Sequence, residues 1–439
     1  MQIRGRLCHG HDQQRGRHRS VRRAAVTALL ACLLAPTNAS AAPAPAPMGW
    51  ASTTGGTTGG AGGTTWTVHD RAELKAALAN SGQPTAPKVI RVVGAVDGFQ
   101  GENGTHLGEQ DFAPGYDLGR YMSCFGDDGT AWSDTRYDYC GEQRRLRQTG
   151  SNNEKAQIQL TVPSNTTLVG AGRSAALLGV YLTVNTGTNI IVRNLHLEAP
   201  VDYFTTWSPD DGSEGSWNAR FDAMSVVTGK HLWVDHCTFT DGRHPDRAAP
   251  VGFHGEHVQR HDGLLDMEDG TDFVTVSDSV FSDHDKAIMI GSGDGHGDRD
   301  RGHLKVTFAR NLFADIVQRG PRVRFGQVHV VDNVYRGQPD ATLYALGVGV
   351  ESAIFSEHNV FDYPGGTPDL AVAGYGGEHI RDTGSWFNGR PARLDAVAEG
   401  LGLTDDVGWD PADAYPYRQL TSRAAIESHV QHHSGAGRH

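Results

Sequence analysis

The sequence predicts an all-β fold, a parallel β-helix built by stacking one short coil on the next. Three observations carry that expectation. Six segments share a hydrophobic strand, a small polar residue and an apolar-aromatic pair: IIVRNLHL, LWVDHCTF, VTVSDSVF, VTFARNLF, VHVVDNVY and IFSEHNVF. Their aligned positions, Asn194, Cys237, Ser279, Asn311, Asn333 and Asn359, are 43, 42, 32, 22 and 26 residues apart, and the shortest step fits one coil, the longer ones carrying loops or an additional coil. Turn residues rather than helical periodicity separate the strands, and 56 glycines supply those turns. Asparagines stacked at one corner are expected to hydrogen-bond along the axis and satisfy turn amides. A two-sheet sandwich is the alternative all-β arrangement, but it gives no reason for one corner residue to recur.

The first 23 residues hold seven arginines and one acid, followed by the apolar run 24–36 and the small-residue stretch NASAAPAPAP. This predicts a secretory signal over residues 1–41, with a cleavage site of the A-x-A kind at 38–42. Arg22-Arg23 leaves twin-arginine export open, and residues 29–32 loosely match a lipoprotein box. Residues 42–65 are Ala/Pro-rich and then Gly/Thr-rich, with no apolar pattern to bury, and predict a flexible leader. Order is expected from Trp66. In VHDRAELKAALA, Asp70 is placed to cap a short helix, with Glu73 three residues on and Leu74, Ala77 and Leu78 on one face. That helix is expected to cover the open end of a solenoid domain spanning 66–432. The C-terminal tail, with RAAIESHVQHH, is expected to lie back along the outer face, and 433–439 to be disordered.

The chain of 439 residues carries a net charge of −12. Without residues 1–41 it keeps 32 basic and 50 acidic residues, a net of −18. A surface this acidic disfavours nucleic acid and anionic membranes, so a polyanionic ligand requires a local positive patch or a metal. Beyond the signal, no stretch approaches the ~20 apolar residues of a membrane span. Of five cysteines, Cys8 and Cys32 fall in the export region. Cys124 and Cys140 flank the polar insert SCFGDDGTAWSDTRYDYC; in an oxidising compartment they are expected to pair and staple it, with two free thiols as the alternative. Cys237, in LWVDHCTF, reads as an interior, inert thiol.

Candidate chemistry concentrates between Asp262 and Arg324. Asp262 and Asp266 are four apart across an apolar GLL, Lys286 follows, and Arg319 and Arg324 bracket Pro321, whose fixed φ excludes a continuous helix. Calcium takes several hard oxygen ligands on a rigid frame. Asp222, Asp262 and Asp266 supply three, and converge if Asp222 stands on the preceding coil; the bland alternative is three turn caps. Asp210 and Asp211 in SPDDGSEG read equally as a second calcium site or an exposed polar loop. DGHGDRD at 294–300 lacks the aspartate pair of a hydrolase and reads as a solvated loop. Among 22 histidines there is no HExxH or Cys/His spacing for zinc, so His236, His261, His284 and His329 read as structural or cleft residues.

Taken together, WNARFDAM, HLWVDHCTF, DGLLD, DHDKAIMIGS and QRGPRVRFGQVHV, in that order, resemble the secreted pectate lyases of polysaccharide lyase family 1, over roughly residues 66–364. The resemblance implies a right-handed parallel β-helix, a monomer secreted to the extracellular space, and Ca2+ held by Asp222, Asp262 and Asp266. It also implies β-elimination on polygalacturonate, with Arg319 taking the C5 proton and Lys286 and Arg324 binding and neutralising the substrate carboxylate. Arg220 departs from members that place an acid there, which bears on the ligand count. An arginine base runs against the standing charge of a guanidinium, so the role requires nearby cations to ease its deprotonation, and alkaline activity follows. A pectin lyase acting on methyl esters is a related alternative; such enzymes lack the calcium carboxylates and the lysine, both kept here. A noncatalytic polysaccharide-binding β-helix is the alternative from another class.

Overall fold

The structure, a computed structural model, describes residues 46–438; the expected secretory signal at 1–41 lies outside the described residues. Three parallel sheets make a β-helix, each coil adding one strand to each sheet. A ten-stranded sheet runs from Thr64–Val68 to His379–Thr383, a second from Ala95–Asp97 to Arg390–Pro391, and an eight-stranded sheet from Gln159–Thr161 to Val372–Tyr375. Among the described residues, antiparallel pairing between strands is limited to the last pair of the second sheet and to a hairpin, Thr206–Ser208 with Ser216–Asn218, with isolated antiparallel bridges such as Gln100 with His106 in the loops. The register is strict: Val234, Val276, Phe308, Val330 and Ser356 stand level on five successive coils.

Two side-chain columns explain that register. Inside, Phe239, Phe281, Phe313, Tyr335 and Phe361 stack with centroids 4.7–5.1 Å apart and ring planes within 15° of parallel. The buried Tyr335 hydroxyl donates to the Gly320 carbonyl at 2.8 Å. At the corner, the amide of each residue donates to the side chain one coil on: Cys237 to Ser279, Ser279 to Asn311, Asn311 to Asn333, Asn333 to Asn359 and Asn359 to Ser385, at 2.8–3.1 Å. The expected ladder is therefore present at five of its six positions and gains Ser385. Asn194 is the exception. Arg193 pairs with Asp235 and His196 with Thr238, so Leu195, not Asn194, is level with Cys237. Asn194 occupies the left-handed corner instead (φ 54°), as do His236, Asp278, Arg310, Asp332 and His358 on later coils; asparagine tolerates that conformation through its short polar side chain.

The capping helix forms over Arg71–Ala79. Asp70 accepts from the Glu73 amide, and Leu74, Ala77 and Leu78 are buried in the solenoid core. The flexible leader expected over 42–65 is overturned for its described part. The amides of Trp50, Ala51 and Gly60 donate to the hydroxyls of Thr307, Thr275 and Thr167 on the coils. The glycines permit close approach: a Cβ on Gly60 would stand 1.7 Å from the Lys88 carbonyl oxygen. The disorder expected over 433–439 fails likewise for its described part, 433–438. Ser434 is buried, and the amides of Gly435, Ala436 and Gly437 donate to the Asp278 carbonyl, Thr238 Oγ1 and Asn194 Oδ1. The helix Arg423–His433 lies on the outer face as expected, with Ile426 and Val430 against Val334 and Val360.

Cys124 and Cys140 are disulfide-bonded, and Cys140 opens the helix Cys140–Ile158. Phe125 of this insert, with Tyr116 and Tyr121 just ahead of it, forms a satellite core with Phe204, Trp207 and Phe221.

Asn333→Ala is expected to strand the Asn311 amide and the Phe308 carbonyl, both paired with the Asn333 side chain. A cost of about 2–4 kcal/mol in chemical denaturation checks this. Asn359→Ser should cost less, because serine already serves at Ser279 and Ser385. Opening the disulfide, whose cysteines are 16 apart, should cost about 3 kcal/mol in the chain-entropy model. Cys237 is fully buried and its thiol is pushed up to about 12 by burial, so it should react with alkylating reagents only after unfolding.

Candidate active site

The eight-stranded sheet gathers the predicted site residues from successive coils. The strands Met224–Val227 and Leu265–Glu268 pair with Ser225 opposite Asp266, while Asp222 precedes the first strand and Asp262 the second. Gly263 is wedged between carboxylates: a Cβ there would lie 2.7 Å from Asp266 Oδ1 and 2.9 Å from Asp222 Oδ1. Its amide donates to Asp222 Oδ1 at 2.8 Å, and the Met289 amide to Asp266 Oδ1 at 2.9 Å. Ser225 donates to Asp222 Oδ2 and also hydrogen-bonds the Tyr181 hydroxyl. Asp222 and Asp266 are buried, whereas the Asp262 side chain is 37% exposed.

Burial, and next the Asp262 charge, push Asp222 up to about 7. Burial and then the charges of Asp222 and Asp262 hold Asp266 well above the ordinary carboxylate range, with Arg319 opposing. Two buried carboxylates thus face a third, with Lys286 beside Asp262 and Arg319 opposing the shift at Asp266 as the nearby positive charges. Asp222, Asp262 and Asp266 offer hard carboxylate oxygens from two adjacent coils, the donor type a divalent ion such as calcium takes, although among the described residues they are not one of the groups whose ligand-type atoms all lie within 4.8 Å of one another.

Lys286 ends the strand Val280–Lys286, bridges Gly263, and brings Nζ to 3.8 Å from Asp262 Oδ1. It is level with Gln318, so Arg319 follows on the next coil. Arg319 has φ 62°, and its carbonyl accepts from the Ile288 amide. Among the described residues none forms an ion pair with its guanidinium, and its buried Nε has no acceptor. Arg324 is more occupied: Nε donates to Asp294 Oδ1 at 2.6 Å and Nη1 to the Gly291 carbonyl at 2.9 Å. The 294–300 loop is thus more than solvated chain, since Asp294 holds Arg324 and Asp300 is buried beneath it, accepting from the Gly270 amide.

Arg220 takes no ligand position. Its guanidinium donates to Ser151 Oγ and Asn152 Oδ1 on the insert helix. Asp210 and Asp211 are exposed on the hairpin, Asp211 accepting from Asn218. Two groups bring ligand-type atoms within 4.8 Å of one another, Asp235/His236/Asp278 and Asp241/Asp246/His261. The second supports the site from behind. His284 joins Asp241 Oδ1 at 2.6 Å to the Asp262 carbonyl at 2.9 Å, and His261 Nδ1 lies 2.8 Å from Asp246 Oδ1. Burial alone would lower His284; Asp241 outweighs it and raises the ring to about 9. Sequence reasoning noted these histidines as structural or cleft residues but had no signal for their aspartate partners, which lie tens of residues away. His329 is structural, held between Tyr415 and Glu357.

The family model for pectate lyase matches residues 22–113 and 143–439, leaving out the whole of the disulfide-closed insert. A pectate lyase of Bacillus subtilis (strain 168) is 36% identical over 399 residues, 89% of this chain and 92% of the relative. Pectate lyase E of Dickeya chrysanthemi is 32% identical over 407 residues, 90% and 87% respectively. A solved pectate lyase bound to a hexasaccharide is similar at a TM-score of 0.81 and 35% identity, covering 89% of this chain and 97% of the other. On the family match, the relatives and the shared fold, this chain belongs to the pectate lyase family.

Proposed function

We propose that the chain is a secreted, calcium-dependent lyase that cleaves unesterified polygalacturonate by β-elimination, leaving a 4,5-unsaturated sugar at the new end. The observation that carries this reading is the row formed on neighbouring coils by Asp222, Asp262, Asp266, Lys286 and the unpaired guanidinium of Arg319. Such a row suits a substrate with a carboxylate on every unit. Among the described residues no helix is long and apolar enough to cross a membrane.

The chemical obstacle is the weak acidity of the C5–H bond. Calcium, held by Asp222, Asp262 and Asp266, would draw charge from the C5 carboxylate and anchor it to the protein. Lys286, beside Asp262, adds a cation to the same carboxylate. Arg324, its guanidinium fixed by Asp294 and Gly291, adds another without having to reorganise. Arg319, acting as the neutral guanidine, would take the C5 proton and become guanidinium as the C4–C5 double bond forms and the C4–O bond breaks, the leaving oxygen taking a proton from water. The Asp241–His284 pair holds the main chain at Asp262, so the exposed ligand is fixed from below.

A pectin lyase acting on methyl esters is the second reading. The buried Asp222 and Asp266 disfavour it, because a neutral ester supplies no charge that would match a cation collected there. A noncatalytic binder would use the same unpaired arginine to hold a carboxylate, so formation of unsaturated product is what separates it from an enzyme.

Incubation with polygalacturonate should generate ultraviolet-absorbing product that chelation abolishes and calcium restores; undiminished activity in chelator would overturn the metal assignment. Asp262→Ala should raise the calcium needed for half activity about tenfold or more, equivalent to 1.4 kcal/mol, with little change in melting temperature. A large fall in melting temperature would make Asp262 a structural residue. Arg319→Ala should lower kcat by about 10²–10⁴, the range of a general base, with KM nearly unchanged. Near-normal kcat would move the base elsewhere, Lys286 being next in line.

A further inference from the structure

The cationic face of the eight-stranded sheet continues past Arg324. Arg322 is level with Met289 on the coil before and with Gly347 on the coil after, and Gly347 with Ala373 on the coil beyond. Glycine at 347 lets Arg322 lie down across that coil: a Cβ there would be 3.1 Å from Arg322 Cγ and 2.9 Å from the Tyr344 ring. The guanidinium crosses it and rests over Tyr375, with Cζ 4.0 Å from the ring centroid. Tyr375 is itself braced by Tyr344, centroid to centroid 5.0 Å. Stacking on an aromatic face fixes the plane of a guanidinium and leaves its N–H edges to recognise a flat anion.

Those edges are not used internally. Among the described residues no carboxylate lies within ion-pair distance of Arg322, and its buried Nε has no acceptor. Burial first, and then the charge of Arg324, lowers its pKa, with Arg319 contributing in the same sense. Arg319, Arg322 and Arg324 thus crowd together with Asp294 as the acid paired to one of them. In a protein of net charge −12, positive charge held against its own repulsion calls for an anionic ligand.

We propose that Arg322, laid on Tyr375, is the carboxylate-binding residue of an additional sugar subsite, beyond Arg324 on the side away from Asp222. It makes affinity grow with the length of an acidic polysaccharide. The inference rests on the polygalacturonate reading given above. Each coil step is about 4.8 Å, so Tyr375, three coils on from Lys286, stands roughly 14 Å along the axis from it, within reach of a longer oligomer and at the limit of a short one.

The test measures binding of tri- and hexagalacturonate by calorimetry in calcium, in an Arg319→Ala background so that neither is cut. Adding Arg322→Ala should weaken hexamer binding about tenfold or more, as expected for loss of a charge-assisted hydrogen bond, and weaken trimer binding at least threefold less than that. Tyr375→Ala should give the same length-selective loss by unseating the guanidinium. Arg322→Lys serves where alanine compromises folding: it keeps stem and charge but not the planar fork, and should give the same selectivity with a smaller loss. Equal loss on both oligomers, or none on the hexamer, overturns the subsite. Failure of the activity itself shows separately, as no unsaturated product from the parent enzyme and no binding of either oligomer, and overturns both.

Discussion

Hydrogen bonds from each corner amide to the side chain one coil further on fix the axial register of this protein, and the site depends on that register. Within a coil, side chains alternate between interior and exterior, so a slip of one residue would turn Asp266 inward and expose a core neighbour. The column from Cys237 to Ser385, backed by the stack of Phe239, Phe281, Phe313, Tyr335 and Phe361, makes such a slip costly. Each broken corner bond would leave a buried amide unsatisfied. Because the register is strict, residues far apart in the chain are delivered to adjacent coils without local design: Gly263 meets Asp222 across 41 positions, and Met289 meets Asp266 across 23.

The site works against stability. Asp222 and Asp266 are buried facing a third carboxylate, and Arg319, Arg322 and Arg324 repel one another. Both imbalances are of a kind that ligands relieve: a cation on the acidic side, a chain of carboxylates on the basic side. The surroundings are correspondingly stiff. His284 and Asp241 pin the Asp262 carbonyl, Asp294 pins Arg324, and the Gly263 backbone passes where no side chain would fit. On the proposed elimination, such preorganisation would place charge where it develops, with little rearrangement during reaction.

The segments before and after the solenoid show how composition misleads about order. The Gly/Thr-rich stretch ahead of Trp66 lacks any apolar stripe, yet Trp50 and Ala51 are buried and the intervening glycines lie against strand backbone. Threonine rows on the coils, Thr167, Thr275 and Thr307, supply the acceptors that hold it. The last residues dock similarly through their amides, which have no sequence signature.

The sequence by itself determined the coil repeat, the capping helix at Asp70, the disulfide and the identity of the charged residues, because each is a local pattern: strand period, cap spacing, paired cysteines, a run of motifs. It misplaced Asn194 by one position, since IIVRNLHL and LWVDHCTF align equally well by eye and only the pairing of Arg193 with Asp235 shows which residue turns the corner. Only the tertiary structure decided which charges are compensated and which are not. That Arg324 has Asp294, that Arg319 has no acid, and that Arg322 lies on Tyr375 across a glycine are facts about neighbouring coils. Their partners are set by the stacking of coils whose loops differ in length, so sequence separation carries no measure of the distance between them.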